Sequence, residues 1–415
     1  MDLLHPRCAG LDISKRDAKC CVRIAGTGRR RAVTAVTTWP ATTPHILALR
    51  DHLVEAGVTR VVMEATSDYW KCFYFLLEDA PFEVILVNAR HVKAIPGRKT
   101  DVSDSQWLAE LGAHGLVRAS FVPPEPIREL RDLTRTRTDL VRERTREIQR
   151  LEKLLEDAGI KLSSVATEIT GISGRAMLEA LIAGEDDPQV LADLAKRRLR
   201  AKIPQLTEAL TGRFRAHHGF LCRLHLDLID TTTRAIDELT ARINEVVAPF
   251  RAVRELLVTM PGVSVTVAEI IIAECGGELA TTFPTAGHLA SWAGVCPGNN
   301  ESAGRQKSTR TRPGNPYLKA ALGVAALSAA RSKGTYLSAR FRRLAARRGT
   351  LKALVALEHT ILIAVWNMCA TGSFYDDLGE DHFRRLDPER AKQRAITQLR
   401  HMGYEVTLEP LAATG

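Results

Sequence analysis

Hydrophobic positions along the first 115 residues recur with two alternating periods. Cys8 to Ile13, Cys20 to Ala25 and Ala32 to Thr38 are short β-type runs, and the turn Gly26-Thr27-Gly28 separates the second from the third. All three read as consecutive antiparallel strands. The period then lengthens. Thr43 as N-cap with Pro44 behind it, apolar Ile46, Leu47, Leu49, Leu53 and Val54, and Gly57 as a stop predict a helix. A fourth strand at Val61 to Glu64, a helix over about 69–78, a fifth strand at Val84 to Val87 and a helix beginning near Asp101 complete the segment. Three strands, then helix, strand, helix, strand, helix predict a mixed sheet with helices on both faces.

That order is the order of a ribonuclease H-like fold. Past Val122-Pro123-Pro124 the pattern becomes a long charged helix, with Ile127, Leu130, Leu133, Leu140, Ile148, Leu151 and Leu155 spaced by three, four or seven or eight. This is coiled-coil-like spacing, expected of a spacer and oligomerisation arm. The stretch 171–188, with three glycines and an acidic trio, predicts a loop; helix resumes from Gln189, and another long helix is expected over about 204–247. From Leu256 the chain becomes compact again. Met260-Pro261-Gly262-Val263-Ser264 before an apolar helix looks like the turn of a helix-hairpin-helix, whose N–H groups can meet a phosphate, although Ser264 replaces a glycine. An apolar helix follows at Leu351 to Cys369, and the polar tail after Gly372 reads as peripheral. The expected class is multidomain α/β plus α: a catalytic domain over 1–122, a helical coiled-coil region over 123–250, a mainly helical domain over 251–372 and a tail over 373–415.

Charge sharpens this picture. Lys and Arg number 58 against 48 Asp and Glu, a net charge of +10, and 44 of the basic residues are arginine, the better phosphate fork. Between Arg305 and Lys352 stand 13 basic residues and no acidic one. A solvated helix face interleaves signs, so this stretch reads as a polyanion site. Apolar residues make up 45% and aromatics 5%, and no apolar run approaches the ~20 residues that span a bilayer. The N-terminus carries no export signal, so a cytoplasmic protein with reduced core cysteines is expected. His218, Cys222 and His225 share a helical face but lack a fourth ligand for zinc.

Four carboxylates stand out by position: Asp12 in the apolar first strand, Glu64 ending the fourth, and Asp101 and Asp104 at a helix start. If strands one and four are neighbours, all four reach one sheet edge. Clustered carboxylates repel unless cations neutralise them, and Mg²⁺ prefers such oxygen ligands with waters and substrate phosphates. Two ions are expected, in the manner of phosphoryl transfer.

The blocks Gly10-Leu11-Asp12, Met63-Glu64-Ala65-Thr66 and Lys99-Thr100-Asp101-Val102-Ser103-Asp104 resemble those of the DEDD transposases of the IS-one-ten insertion-sequence group. These are relatives of the Piv invertases, and their first domain is similar to the junction resolvase RuvC. The second half resembles the group's other domain through Met260-Pro261-Gly262-Val263, Gly294-Val295-Cys296-Pro297, Glu301-Ser302-Ala303-Gly304 and Gly314-Asn315-Pro316. Ser105 stands where alanine is usual, and the middle region is longer than expected. The resemblance implies a DNA recombinase that pairs Mg²⁺-binding carboxylates with a serine nucleophile, Ser302, forming a phosphoserine link to DNA. It implies a structured guide RNA, the bridge RNA of the element, and a homo-oligomer, dimer to tetramer, with shared active sites. Nucleic-acid contacts are expected from Arg305, Lys307, Arg310, Arg312, Lys319, Arg342, Arg343, Arg347 and Arg348. From the residues alone, serine in such a loop is an ordinary turn residue, and no nearby histidine is placed to activate it. Two rivals remain: a hydrolytic junction-resolving nuclease with Ser302 a bystander, and a non-catalytic basic scaffold for nucleic acid.

Overall fold

A computed structural model of the chain describes residues 3–26, 31–65, 67–89, 92, 101–298 and 300–409. The chain forms two compact units, 1–122 and 123–415.

The first unit contains β1 (Arg7–Ile13), β2 (Asp17–Ile24), β3 (Val33–Pro40), α1 (Thr43–Glu55), β4 (Arg60–Glu64), α2 (Trp70–Leu77), β5 (Glu83–Val87) and α3 (Asp101–Ala113). Its sheet has the order β3-β2-β1-β4-β5. β1 runs antiparallel to β2 and parallel to β4, which is parallel to β5. A mixed sheet of this topology is compatible with the expected ribonuclease H-like fold. β2 starts three residues before the expected Cys20, because a tight turn closed by Ser14 N–H donating to Asp17 O (2.8 Å) lets pairing continue to Ile13 and Ala18. The expected turn at 26–28 lies largely outside the described residues.

Alternate residues of each strand face opposite sides. Ala9, Leu11, Ile13, Val61 and Met63 pack with Ile46, Leu49, Leu53, Phe73 and Leu77 of α1 and α2. Cys8, Val62, Ile85 and Val87 face Leu108 and Ala113 of α3 instead. Both faces are covered, which is why the central strands read as nearly continuous apolar runs.

The second unit is helical. It begins with α4 (Glu125–Asp157), α5 (Leu162–Val165), α6 (Ile172–Ala183), α7 (Pro188–Asp193), α8 (Ile203–Leu210) and α9 (Ala216–Val246). It continues with α10 (Arg251–Val258), α11 (Val265–Cys275), α12 (Leu279–Thr282), α13 (Ala286–Ala293), β6 (Asn300–Ser302), β7 (Arg305–Ser308), α14 (Pro316–Arg331), α15 (Tyr336–Arg348), α16 (Thr350–Thr371), α17 (His382–Leu386) and α18 (Pro388–His401).

Two expected elements differ in the structure. The stretch 171–188 is mostly helix α6, flanked by Gly171 and capped by Gly184 in the left-handed region, so two of its glycines mark boundaries. The helix expected over 204–247 is two helices. They break at Gly212, where a Cβ would stand 2.7 Å from Ala158 O at the end of α4. The apolar seam of α4 is filled from within the chain: Leu151 and Leu155 share a core with Cys222, Leu226 and Ile229 of α9. Glu147 meets His225 (2.9 Å) and Asp157 meets His218 (3.1 Å), fixing α4 and α9 antiparallel. The two histidines are thus occupied by carboxylates, not gathered around zinc.

Gly262, at φ +91°, has a packing reason: a Cβ there would lie 2.4 Å from Ala325 O of α14. Helix α16 is long and apolar enough to cross a membrane by length and composition, longer than the apolar run read from the sequence. Ala353, Leu357, Ile361, Leu362, Val365 and Met368 form its buried stripe in this unit. Five of the eight cysteines are buried, and only Cys72 is exposed.

Candidate nucleic-acid-processing sites

The parallel register Leu11↔Met63 puts Asp12 and Glu64 at equivalent ends of adjacent strands. By alternation both share the face of Gly10 and Val62, the face that α3 covers. α3 approaches that face without a spacer. A Cβ on Gly10 would lie 2.2 Å from Ser105 O and 2.4 Å from Ala109 N, and one on Gly112 would strike Cys8 Sγ at 2.7 Å. Residue 112 lies near residue 8 and residue 105 near residue 10, so α3 runs antiparallel to β1. Its first turn, with Asp101 and Asp104, therefore points to the end of the sheet that carries Asp12 and Glu64. Asp12, Glu64 and Asp104 are half-buried and Asp101 is exposed. Ser105 is accommodated: its hydroxyl donates to Val102 O at 2.9 Å.

Topology thus brings the four carboxylates to one end of one sheet face. It does not close them into a cage. Among the described residues, no group of three or more His, Cys, Asp or Glu stands ready to hold a metal ion. The donor chemistry, carboxylate oxygens alone, suits Mg²⁺.

Ser302 lies in the second unit, at the tip of a β-hairpin where sequence reasoning placed a loop. Ser302 pairs with Arg305 across Ala303 and Gly304, whose φ values are +49° and +72°. Two consecutive positive φ values make the tight turn that matches strand twist. Ser302, Arg305, Lys307, Arg310 and Arg312 are exposed, so the serine sits among solvent-facing cations. The hairpin escaped detection because its two strands are polar throughout and show no apolar alternation; Ala303-Gly304 between polar residues was the available signal.

Its stem is anchored backbone to backbone. Gly298 N–H donates to Arg310 O (3.0 Å), Pro297 bridges Thr311, and a Cβ on Gly314 would come within 2.0 Å of Ala293 O. Just beyond, Asn315 caps α14 by accepting from Tyr317 and Leu318 N–H (both 3.0 Å). Its amide donates to Glu274 Oε2 at 2.6 Å.

Glu274 is fully buried and takes a bidentate pair from Arg135 of α4 at 2.7 and 2.8 Å. Burial alone would lower the basicity of Arg135, but the bond to Glu274 holds it above the ordinary arginine value. Burial does lower Arg131, whose guanidinium donates to the Ala273 and Glu274 carbonyls (3.0 and 2.8 Å). Arg137 pairs with buried Glu269 at 2.8 Å. Sequence reasoning treated α4 as a spacer and oligomerisation arm and missed the network; its signal was two glutamates inside the apolar run Val265 to Cys275.

The other predicted contacts lie along α14 and α15. Lys319 is half-buried and reaches Arg312 O (3.3 Å), while Arg342, Arg343, Arg347 and Arg348 are exposed.

Comparison with known proteins gives two matches in chain order. A family described as Transposase, of the DEDD IS110 type, matches residues 9–160. A family described as Transposase IS116/IS110/IS902 matches residues 254–342. The chain is 26% identical over 368 residues to the 43.6 kDa protein of insertion element IS110 from Streptomyces coelicolor, covering 81% of this chain and 88% of the relative. It is 27% identical over 408 residues to the 42 kDa protein of insertion element IS900 from Mycobacterium paratuberculosis, covering 90% and 98%.

Proposed function

Because the chain belongs to the IS110 family of transposases, its two matched segments together spanning more than half its length, its broad activity is DNA transposition, and we propose how its residues perform it. Asp12, Glu64, Asp101 and Asp104 hold Mg²⁺, which supplies charge neutralisation at the reacting phosphate when bound. Ser302 Oγ attacks a DNA phosphorus. A serine–phosphorus bond forms, one bridging P–O bond breaks, and the proton lost by the hydroxyl ends on the released strand oxygen. Arg305 and Lys307, flanking the hairpin turn, hold the phosphate and balance the charge that develops on its oxygens. A structured guide RNA selects the DNA, and a homo-oligomer brings the serine of one copy to the carboxylates of another.

The observation that carries this reading is the β1–β4–α3 topology, which collects acidic residues from three separate blocks at one end of one face. The exposed hairpin supports the serine assignment. A serine at a two-residue turn reaches a backbone phosphate without rearrangement of a packed core.

Ser302→Ala should keep fold and DNA binding but form no denaturant-stable protein–DNA adduct. An adduct of wild-type yield in that variant would remove the serine from the reaction and make another protein side chain the nucleophile, whereas cleavage by wild type with no adduct at all would favour water. Mixing Ser302→Ala with Asp12→Asn protein tests sharing: partial return of strand exchange is expected if sites are built across copies, and none if each copy acts alone.

A further inference from the structure

The tail after Gly372 folds back. Asp377 Oδ1 accepts from Tyr336 N–H at 2.9 Å and from Gly379 N–H at 2.7 Å, pinning the tail to the first turn of α15. Phe383 of α17 stacks on Tyr336, ring centres 5.3 Å apart, and Arg343 lies over the Phe383 ring at 4.8 Å. α18 then runs alongside α15, leaving between them an open groove of about 950 Å³.

The groove's charge is one-sided. Arg343 and Arg347, one turn apart on α15, line it with Arg390 and Arg394, one turn apart on α18. Its three acids are largely engaged: Glu380 pairs with Arg342 (3.3 Å), Asp381 with Arg384 (3.1 Å), and Asp387 caps α18 by accepting from Arg390 N–H (3.0 Å). The guanidiniums that remain gather four like charges on two walls. Such an arrangement is self-repelling unless a polyanion lies between, and planar guanidiniums suit phosphate. α18 buries none of its residues, so apolar packing does not account for its place beside α15.

We propose that the α15–α18 groove is a second phosphodiester-binding site, which clamps a nucleic-acid strand by its backbone away from the Ser302 hairpin. Its second wall lies beyond residue 342, outside both matched family segments. The proposal rests on the reading of the chain as a nucleic-acid-binding transposase and adds the site. Backbone contact implies affinity without base preference. An acidic protein segment is the competing occupant.

The test uses full-length protein and fluorescence anisotropy with a labelled DNA duplex and a labelled RNA hairpin across a salt series. Arg390→Gln/Arg394→Gln should weaken binding and reduce the slope of log K against log salt by about 1.8 for duplex DNA, roughly 0.9 for each lost phosphate contact. Arg343→Gln/Arg347→Gln on the facing wall should do the same. Arg198→Gln/Arg400→Gln, which removes equal charge from exposed positions outside the groove, should leave the slope unchanged. A drop with one probe only identifies the strand held there. If both groove variants, folded by circular dichroism, bind both probes with wild-type slope, the groove proposal is overturned while the transposase reading stands. Wild-type protein that binds neither probe overturns both.

Discussion

Ala303 bears the left-handed backbone that only glycine adopts without steric cost, roughly 1–2 kcal/mol for other residues, and it does so beside Ser302. Replacing it tests whether that cost is stored in the hairpin. Ala303→Gly removes the clash but gives the unfolded ribbon more freedom, so a net gain of about 0.5–1 kcal/mol is expected. Amide exchange in β6 and β7 should then slow about two- to fivefold. Unchanged or faster exchange would show that the turn relaxes around alanine. Glu110 makes a second prediction in the first unit. Partial burial opposes its ionisation, but bonds from Arg23 and His114 outweigh this and hold its carboxyl below the ordinary 4.5. A group whose folded pKa is depressed stabilises the fold above its unfolded value and loses that contribution as pH falls through the folded value. The melting temperature of wild type should therefore fall more steeply than that of Glu110→Gln between pH about 5 and 3. Parallel curves would mean the pair is screened by solvent.

Among the elements, α4 is held by two kinds of contact. Towards α9 it packs apolar side chains, flanked by the Glu147–His225 and Asp157–His218 pairs. Leu151→Ala should cost about 2–5 kcal/mol, because the neighbouring Cys222 and Leu226 cannot collapse into the gap. Towards α11 it is held by charge. Glu269→Gln leaves buried Arg137 without its full counter-charge and should cost about 3–5 kcal/mol, read as a lower denaturant midpoint at constant slope. A loss under 1 kcal/mol would mean that water reaches Arg137. The seam of α4 was legible from its spacing, but spacing does not say whose helix fills it. The central strands β1, β2 and β4 were legible for a related reason: burial on both faces writes an apolar run that no loop imitates. Helix α6 was misread because glycine looks the same in sequence whether it flanks, caps or breaks a helix. The tail's place against α15 rests on Asp377 and Phe383, single residues with no periodicity to betray them.

For the molecule as a whole, acid and base are segregated: the acidic candidates lie in 1–122 and the one-signed basic stretch in 305–352. Binding and chemistry should therefore separate in variants. Asp12→Asn is expected to abolish strand cleavage in Mg²⁺ while leaving the affinity for DNA and its salt dependence intact, because repulsion among the carboxylates falls rather than rises. Cleavage at the wild-type rate would return Asp12 to a structural role. Neutralising Arg305 and Lys307 should do the reverse to affinity, flattening the salt slope by roughly 0.9 per contact.

The contact at Gly10 carries a consequence for how tolerance to mutation is distributed along the chain. Helix and strand touch there through main-chain atoms, with Ser105 O where a methyl would have to go. The distance from Asp12 to the acidic first turn of α3 is thus set by an absence, and no side chain of any chemistry can replace it. In a saturation scan scored by transposition, Gly10 should appear as intolerant as the carboxylates themselves, although it has nothing to offer a metal, a proton or a strand of DNA.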